Sequence, residues 1–364
     1  MAMAVPVAVV GMDFREGPSS IRARLKGVDD GPDSPSARLV RDGYCDGVVR
    51  VESCSRVEWV VSAANPSWAG ELLRGALLKA AGMPPGERKM HVKTSSGALH
   101  YLVRMSLGLE SVAEGEHAIG RQVLRAFELA HEANRTDRVL HLCWTAIGRV
   151  LQARKATGVG SSVGVQSLVV AELSGLTRHS NVLVKGQGEI GRQVLGALHR
   201  EGFTQARGFT RAEAERFFPL AHTAAAIVVC TGGPGAWLEL PERTDTPIAI
   251  DIGAPGQVKA APGWKLHALD EVLTRRGLML GADALQTLEE LCDEASDALR
   301  EAIEGASQHH VLEALESEKR KFFEGDVDQV LAELSPKEAK RVGEALRGFT
   351  HRLLEVTRRA GRVP

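Results

Sequence analysis

The chain has 364 residues, too many for one ordinary hydrophobic core, so two or three domains are expected. Lys and Arg number 45 against 46 Asp and Glu, which excludes a broad basic coat but leaves room for a local nucleic-acid surface. Aromatic residues are only 4%, which argues against a base-stacking sheet of the single-strand-binding kind.

Residues 5–10 (VPVAVV) and 46–62 read as strands, and Ser20–Leu25 and Asn65–Lys79 as helices. From Ala98 to Leu151 the pattern is helical almost throughout. Ile119, Val123, Leu124, Phe127 and Ala130 recur at the three- and four-residue spacing of one buried face. An α+β N-terminal domain follows. Gly158–Val165 (GVGSSVGV) is a small-residue break, and Gln166–Leu176 returns to helix.

A different pattern then begins. An apolar strand at Val182–Val184 runs into Gly186-x-Gly188-x-x-Gly191 and an amphipathic helix. That context turns a common glycine turn into a candidate dinucleotide site. The first glycine permits the tight turn, the second admits a pyrophosphate, and the third lets helix and strand pack closely. The helix N-terminus offers donors to the phosphate. Thr210 and Arg211 stand where the second strand ends, and a guanidinium there suits a 2′-phosphate, so NADPH is favoured over NADH. The alternative is a solvated arginine at a helix start. Only 15 residues separate Arg211 from Ile227, so the domain is trimmed by one strand–helix pair. AAAIVVCTGG and PIAIDIGAP are further short apolar runs of the kind that buried parallel strands show.

From Asp283 the sequence is helical again, with Leu285, Leu288, Cys292, Ala295, Leu299 and Ile303 on one stripe. Ser335-Pro336-Lys337-Glu338 is a capping box with proline at the first helical position. Long striped helices without chemistry suggest a dimerisation module or an intramolecular bundle.

The five cysteines are far apart, and no CxxC or His/Cys cluster has zinc spacing, so no metal is expected. The sequence MAMAVPVAVVGMD lacks the layout of a signal peptide, and no apolar run is long enough for a membrane helix. A reduced, cytoplasmic protein is expected. In VVRVESCSRVEWV, Cys54 sits in a strand-like stretch two residues before Arg56. Alternation would put both on one face, and the guanidinium would favour the thiolate that attack on an acyl group requires. A packed core thiol is the alternative, and it is the expected role of Cys45, Cys143, Cys230 and Cys292. The patch MSLGLESVAEGEHAIGRQV (105–123) combines Gly108, Ser111, Gly115, Glu116 and Gln122. So many glycines in a helical stretch imply a break or a close approach, and the acceptors could hold a substrate amine or simply make a polar helix corner.

Taken in order, GMDFREGPSSIRARL, SCSR, GLESVAEGEHAIGRQV, GQGEIG and IDIGAPGQV resemble the motifs of the glutamyl-tRNA reductase family along essentially the whole chain. The resemblance implies an α/β multi-domain protein. An α+β catalytic domain would span 1–155. A trimmed Rossmann-like NADPH domain with a preceding linker helix would span 156–275. An all-α dimerisation domain would span 276–364. It makes Cys54 the nucleophile and Ser53, Ser55 and Arg56 part of the substrate site. Ser111, Glu116, His117, Ala118 and Gln122 would line the glutamate pocket. Gly186, Gln187, Gly188, Glu189, Ile190 and Gly191 would hold NADPH. The implied reaction carries glutamyl-tRNA through a Cys54 thioester to glutamate-1-semialdehyde, a tetrapyrrole precursor. A homodimer and a downstream aminomutase would be partners. The chain departs from the pattern at Tyr101, a catalytic position where the family usually has histidine, at Phe14, and at His117-Ala118 in place of Pro-Gln. His117 could carry protons in compensation. Of the basic residues in the family's KRVRTET, LQARKAT keeps Arg154. A non-catalytic relative that binds tRNA or a partner reductase, and a reductase of another carrier-linked acyl group, are the alternatives.

Overall fold

The computed structural model describes residues 5–84, 90–159, 164–232, 238–275, 280–322, 327, 331 and 334–360. The chain divides into two compact units, Ala4–Leu299 and a second built on Arg300–Pro364.

The first unit opens with a four-stranded antiparallel sheet of order β2-β3-β1-β4, where β1 is Val7–Asp13, β2 Gly47–Glu52, β3 Arg56–Ser62 and β4 His91–Thr94. Helices α1 (Ser19–Gly27) and α2 (Pro35–Arg41) fall between β1 and β2, and α3 (Pro66–Ala80) between β3 and β4. Helices α4 (Ser95–Ser106), α5 (His117–Glu132) and α6 (Arg138–Thr157) follow β4. Every residue of β1 and β3 is buried. Ala8, Val10, Met12, Val57, Trp59 and Val61 pack with Leu73 and Leu77 of α3, while α4 crosses β1 and α5 and α6 cross β2. A strand covered on both faces has no use for polar alternation, which is why these segments read as continuous apolar runs.

The stretch 46–62 is two strands and not one. β2 and β3 pair from Gly47↔Ser62 to Glu52↔Val57, and Ser53–Ser55 form the loop between them. The helical reading of 98–151 holds except where residues 107–116 and 133–137 leave the helix.

The same unit contains a second, parallel sheet of order β11-β9-β7-β5-β6. Its strands are β5 (Val182–Lys185), β6 (Arg207–Phe209), β7 (Ala226–Val229), β9 (Ile248–Asp251) and β11 (Lys265–Ala268); β8 (Leu238–Glu239) and β10 (Val258–Ala260) pair separately. Helices α7 (Val165–Glu172), α8 (Glu189–Arg200), α9 (Ala214–Ala221) and α10 (Leu269–Arg275) complete this half. A single helix, α9, connects β6 to β7, and β6 is the edge strand, as the short spacing required. The structure is thus mixed α/β with a Rossmann-like parallel sheet and a helical C-terminal region.

Helix α11 (Ala282–Phe322) begins in the first unit, where Leu288, Cys292 and Leu299 are buried and Asp293 meets His100 of α4 at 3.1 Å. The N-terminal part of the apolar stripe is therefore covered by this chain itself. In the second unit α12 (Pro336–Ala360) starts at the expected capping box, with Glu338 reaching back to the Ser335 N–H at 3.2 Å.

The turn at 107–116 depends on Gly108, whose φ is +77°. A Cβ there would stand 2.5 Å from the Glu116 carbonyl oxygen and 2.6 Å from its nitrogen. Gly108→Ala is expected to cost about 2–4 kcal/mol from backbone strain and overlap together. Urea denaturation checks this, and a change below about 0.5 kcal/mol would contradict the assigned constraint.

Candidate active site

Cys54 lies at the centre of the β2–β3 loop. The loop closes through Ser53 N–H donating to the Arg56 carbonyl at 3.0 Å, and the Ser53 and Ser55 hydroxyls meet at 3.2 Å. Two cations from α1 brace it from behind: Lys26 donates to the Ser53 carbonyl at 2.5 Å, and Arg22 to the Cys54 carbonyl at 3.2 Å. Burial, and after it the negative charge of Glu116, push the Cys54 thiol up to about 11, while Lys26 and Arg22 pull it down. The resting group is a thiol.

Arg56 is not beside that sulfur. Because Cys54 is in a loop, strand alternation does not align the two residues, and Arg56 points into the sheet. It is fully buried, paired with Glu58 at 3.2 Å, and it also donates to the Glu110 carbonyl. Tyr101 of α4 donates to the same Glu58 oxygen at 2.7 Å and packs edge-on against His91 of β4. Burial and the adjacent Glu58 charge raise the Tyr101 pKa, so the phenol keeps its proton. His91 in turn meets Glu16 at 2.8 Å.

Residues 107–116 form the opposite wall. Arg154 of α6 is buried and donates to the carbonyls of Leu107 at 2.8 Å and of Gly115, so it holds this turn in shape. Glu116 stands at the N-cap position of α5 without a side-chain cap, and burial, opposed by the charges of Arg56 and Arg121, raises its carboxyl to about 7. His117 is exposed. Partial desolvation, and then the charges of Arg154 and Arg121, lower its pKa and favour the neutral ring.

The glycine turn has the form a dinucleotide needs. A Cβ on Gly191 would fall 1.7 Å from the Gly186 carbonyl oxygen, so the helix packs against the turn only with glycine there. At Gly188 a Cβ would meet nothing within 4 Å, and Gly188 is also the N-cap of α8, without a side-chain cap. An open cradle at a helix start fits a pyrophosphate. Thr210 follows β6 directly, and its N–H and hydroxyl both donate to Glu213 at 2.8 Å. Arg211 is exposed beside it. Gln187 lies over Gly208 of β6, where a Cβ would come within 2.2 Å of its amide nitrogen.

One solvent-open cleft collects much of this chemistry. Ser53, Cys54, Ser55, Ser111, Glu116, Ala118 and Gln122 line it from the N-terminal half, and Glu189, Ile190 and Gln193 from α8. Among the described residues, Arg56, Tyr101 and His117 are not on its wall, and Thr210 and Arg211 stand elsewhere on the parallel sheet. Phe14 packs in the same apolar cluster as Cys54. Gln166 and Gln193 line the cleft without a motif to announce them. Lys26 and Arg22 were likewise missed, because only folding brings α1 to the loop; Arg22 lies inside the family-like IRARL stretch. Among the described residues no group of three or more His, Cys, Asp or Glu could hold a metal ion, and no helix is long and apolar enough to cross a membrane.

Residues 10–156 match the family described as glutamyl-tRNAGlu reductase, N-terminal domain. The glutamyl-tRNA reductase of Rubrobacter xylanophilus is 28% identical over 98% of this chain and 92% of its own length. That of Thermus thermophilus is 29% identical over 86% of this chain and 84% of its own. The solved structure of glutamyl-tRNA reductase from Methanopyrus kandleri shares the fold, with a TM-score of 0.58 over 99% of this chain and 95% of that one, at 20% identity.

Glu116 is ionised above its pKa of about 7 and then opposes the Cys54 thiolate. Glu116→Gln should therefore lower the Cys54 pKa and speed its alkylation by iodoacetamide at pH 8.5 by about threefold or more. Peptide mass spectrometry at Cys54 gives the rate, and an unchanged or slower reaction would contradict the assigned electrostatics.

Proposed function

We propose that this chain is a member of the glutamyl-tRNA reductase family and that it reduces glutamyl-tRNA to glutamate-1-semialdehyde with NADPH, through a thioester on Cys54. One observation carries this: Cys54, the acceptors Ser111, Glu116 and Gln122, and the first turn of α8 share a single cleft.

Glu116 would hold the ammonium of the glutamyl group, with Ser53, Ser55, Ser111 and Gln122 supplying further hydrogen bonds. This has a second effect. The bound ammonium offsets the charge that opposes the thiolate, so substrate binding itself lowers the Cys54 pKa. The Cys54 sulfur attacks the ester carbonyl carbon, a C–S bond forms, and the C–O bond to the terminal ribose of the tRNA breaks. The ribose oxygen leaves with a proton equivalent to the one lost by the thiol. Splitting the reaction at a thioester replaces one hard step by two easier ones.

When bound, NADPH would supply a hydride equivalent for the acyl carbon. Gly186, Gly188 and Gly191, with Gln187, Glu189 and Ile190, would hold it at the start of α8. Choice of NADPH would rest on the guanidinium of Arg211 as partner to a 2′-phosphate; the amide and hydroxyl of Thr210 are engaged by Glu213. Cys54 leaves with the C–S electron pair as the aldehyde departs. Tyr101 acts at one remove as a positioning residue, through Glu58 and Arg56. Such an activity is the first committed step of C5-pathway tetrapyrrole synthesis, in the cytoplasm, and its product would pass to an aminomutase.

The domain division 1–155, 156–275 and 276–364 belongs to the same proposal, as does a homodimer. Val342 and Phe349 of α12 are exposed and one heptad apart on its surface, which gives a second copy an apolar stripe to cover. A second reading, a relative that binds tRNA without reducing it, is favoured by Tyr101 standing off the cleft.

Purified protein with glutamyl-tRNA and NADPH should oxidise NADPH, and Cys54→Ser should lower the rate by about a thousandfold or more. Equal rates in wild type and variant would contradict the mechanism, and NADPH-independent tRNA binding without turnover would favour the second reading. Light scattering at micromolar concentration should give twice the chain mass; a monomer would dispose of the dimer.

A further inference from the structure

We propose that Asp270, at the start of α10 in the cofactor half, is a positioning residue that docks this half onto the Cys54 loop by way of α1 and Arg22. The inference rests on the proposed thioester mechanism for its consequence, though its geometry stands apart from it.

The first turn of α1 lacks what a helix start needs. Pro18 is its N-cap and makes no side-chain cap, and its first turn holds no acidic residue. Free N–H groups and the positive end of the helix dipole call for an anion there. Asp270, 251 residues away in sequence, supplies it: the Ser19 N–H donates to the carboxylate at 2.9 Å, and the Ser19 hydroxyl at 2.9 Å. One turn on, Arg22 is almost fully buried and donates to the same carboxylate at 3.2 Å. The terminal nitrogen that does so also donates to the carbonyl of Cys54 at 3.2 Å. One carboxylate thus caps a helix and orients the guanidinium that holds the backbone of the nucleophile.

Asp270 reaches this place from the parallel sheet. α10 follows β11 directly and packs on α7, and its Leu269, Val272 and Leu273 lie in one core with Val182 and Val184 of β5 and Val194 of α8. The carboxylate therefore ties the sheet that carries the cofactor cradle to the loop that carries the sulfur. Acyl transfer to Cys54 needs only the loop and the glutamyl pocket. Reduction needs the cradle and the loop in register, and a displacement of about 1 Å can cost about a hundredfold in rate. Asp270 bears on that second requirement through its bonds to Ser19 and Arg22.

The test compares wild type, Asp270→Ala and Asp270→Asn as full-length protein, with two readouts. In hydrogen exchange, both variants should lose protection at the start of α1 and in the 53–56 loop, Asp270→Ala more than Asp270→Asn. In rapid-quench work, acylation of Cys54 by glutamyl-tRNA without NADPH should fall by no more than about threefold, the loosened loop costing acylation less than the lost register costs reduction. Reduction of the preformed thioester by saturating NADPH should fall about tenfold or more in Asp270→Ala. Unchanged protection at both segments would overturn the docking role, and so would acylation and reduction falling in parallel. If wild type is never acylated, the thioester mechanism fails, while hydrogen exchange still decides whether Asp270 joins the two halves.

Discussion

An ion pair held out of water inside the N-terminal sheet fixes the geometry on which everything else depends. Arg56 and Glu58 are both fully buried one step beyond the Cys54 loop, and Arg56 also grips the carbonyl of Glu110. Removing one member of such a pair costs about 3–5 kcal/mol, because the other is left as an uncompensated buried charge. The pair therefore binds the base of the loop to the turn that presents Ser111 and Glu116. Tyr101 belongs to this buried network. A phenol that keeps its proton can donate to Glu58, and the hydroxyl thereby takes part in setting the loop and pocket against each other.

Cys54, the proposed nucleophile, is poised against ionisation. Desolvation and Glu116 keep Cys54 a thiol at rest, and Lys26 and Arg22 only partly offset them. This protects an exposed cleft from stray alkylation and oxidation, since the thiolate is the reactive form. It also means that a cationic ligand beside Glu116 would ease ionisation of the thiol, and under the proposed function the ammonium of an aminoacyl ester would supply that charge. On that proposal, selectivity and activation would come from one contact.

Much of this was legible in the residues. The glycine turn was readable because two of its glycines answer demands that only a missing Cβ meets: Gly186 at a φ of +107°, and Gly191 with its 1.7 Å approach to the Gly186 carbonyl oxygen. The capping box at Ser335 and the shortened path from Arg211 to Ile227 were readable for similarly local reasons. The break at Gly108 and Gly115 was visible as a helix with too many glycines. What failed was the placement of Arg56. SCSR between two valine-rich runs looks the same as strand interior or as hairpin loop, and a shift from one to the other sends the guanidinium into the core. Lys26, Arg22 and Asp270 could not be foreseen either, because their bearing on Cys54 exists only after α1 and α10 have packed. Sequence periodicity reports which face of a helix is buried, not which distant carbonyl its arginine will find.

The most direct measurement is the mass of the Cys54 peptide after the protein meets glutamyl-tRNA without NADPH and is quenched in acid. A single glutamyl group on that peptide, removable by hydroxylamine and lost when NADPH is added before the quench, is the predicted result. An unmodified Cys54 under conditions where the protein discharges the tRNA, or a glutamyl group on any other residue, would contradict the assignment of this cysteine as the nucleophile.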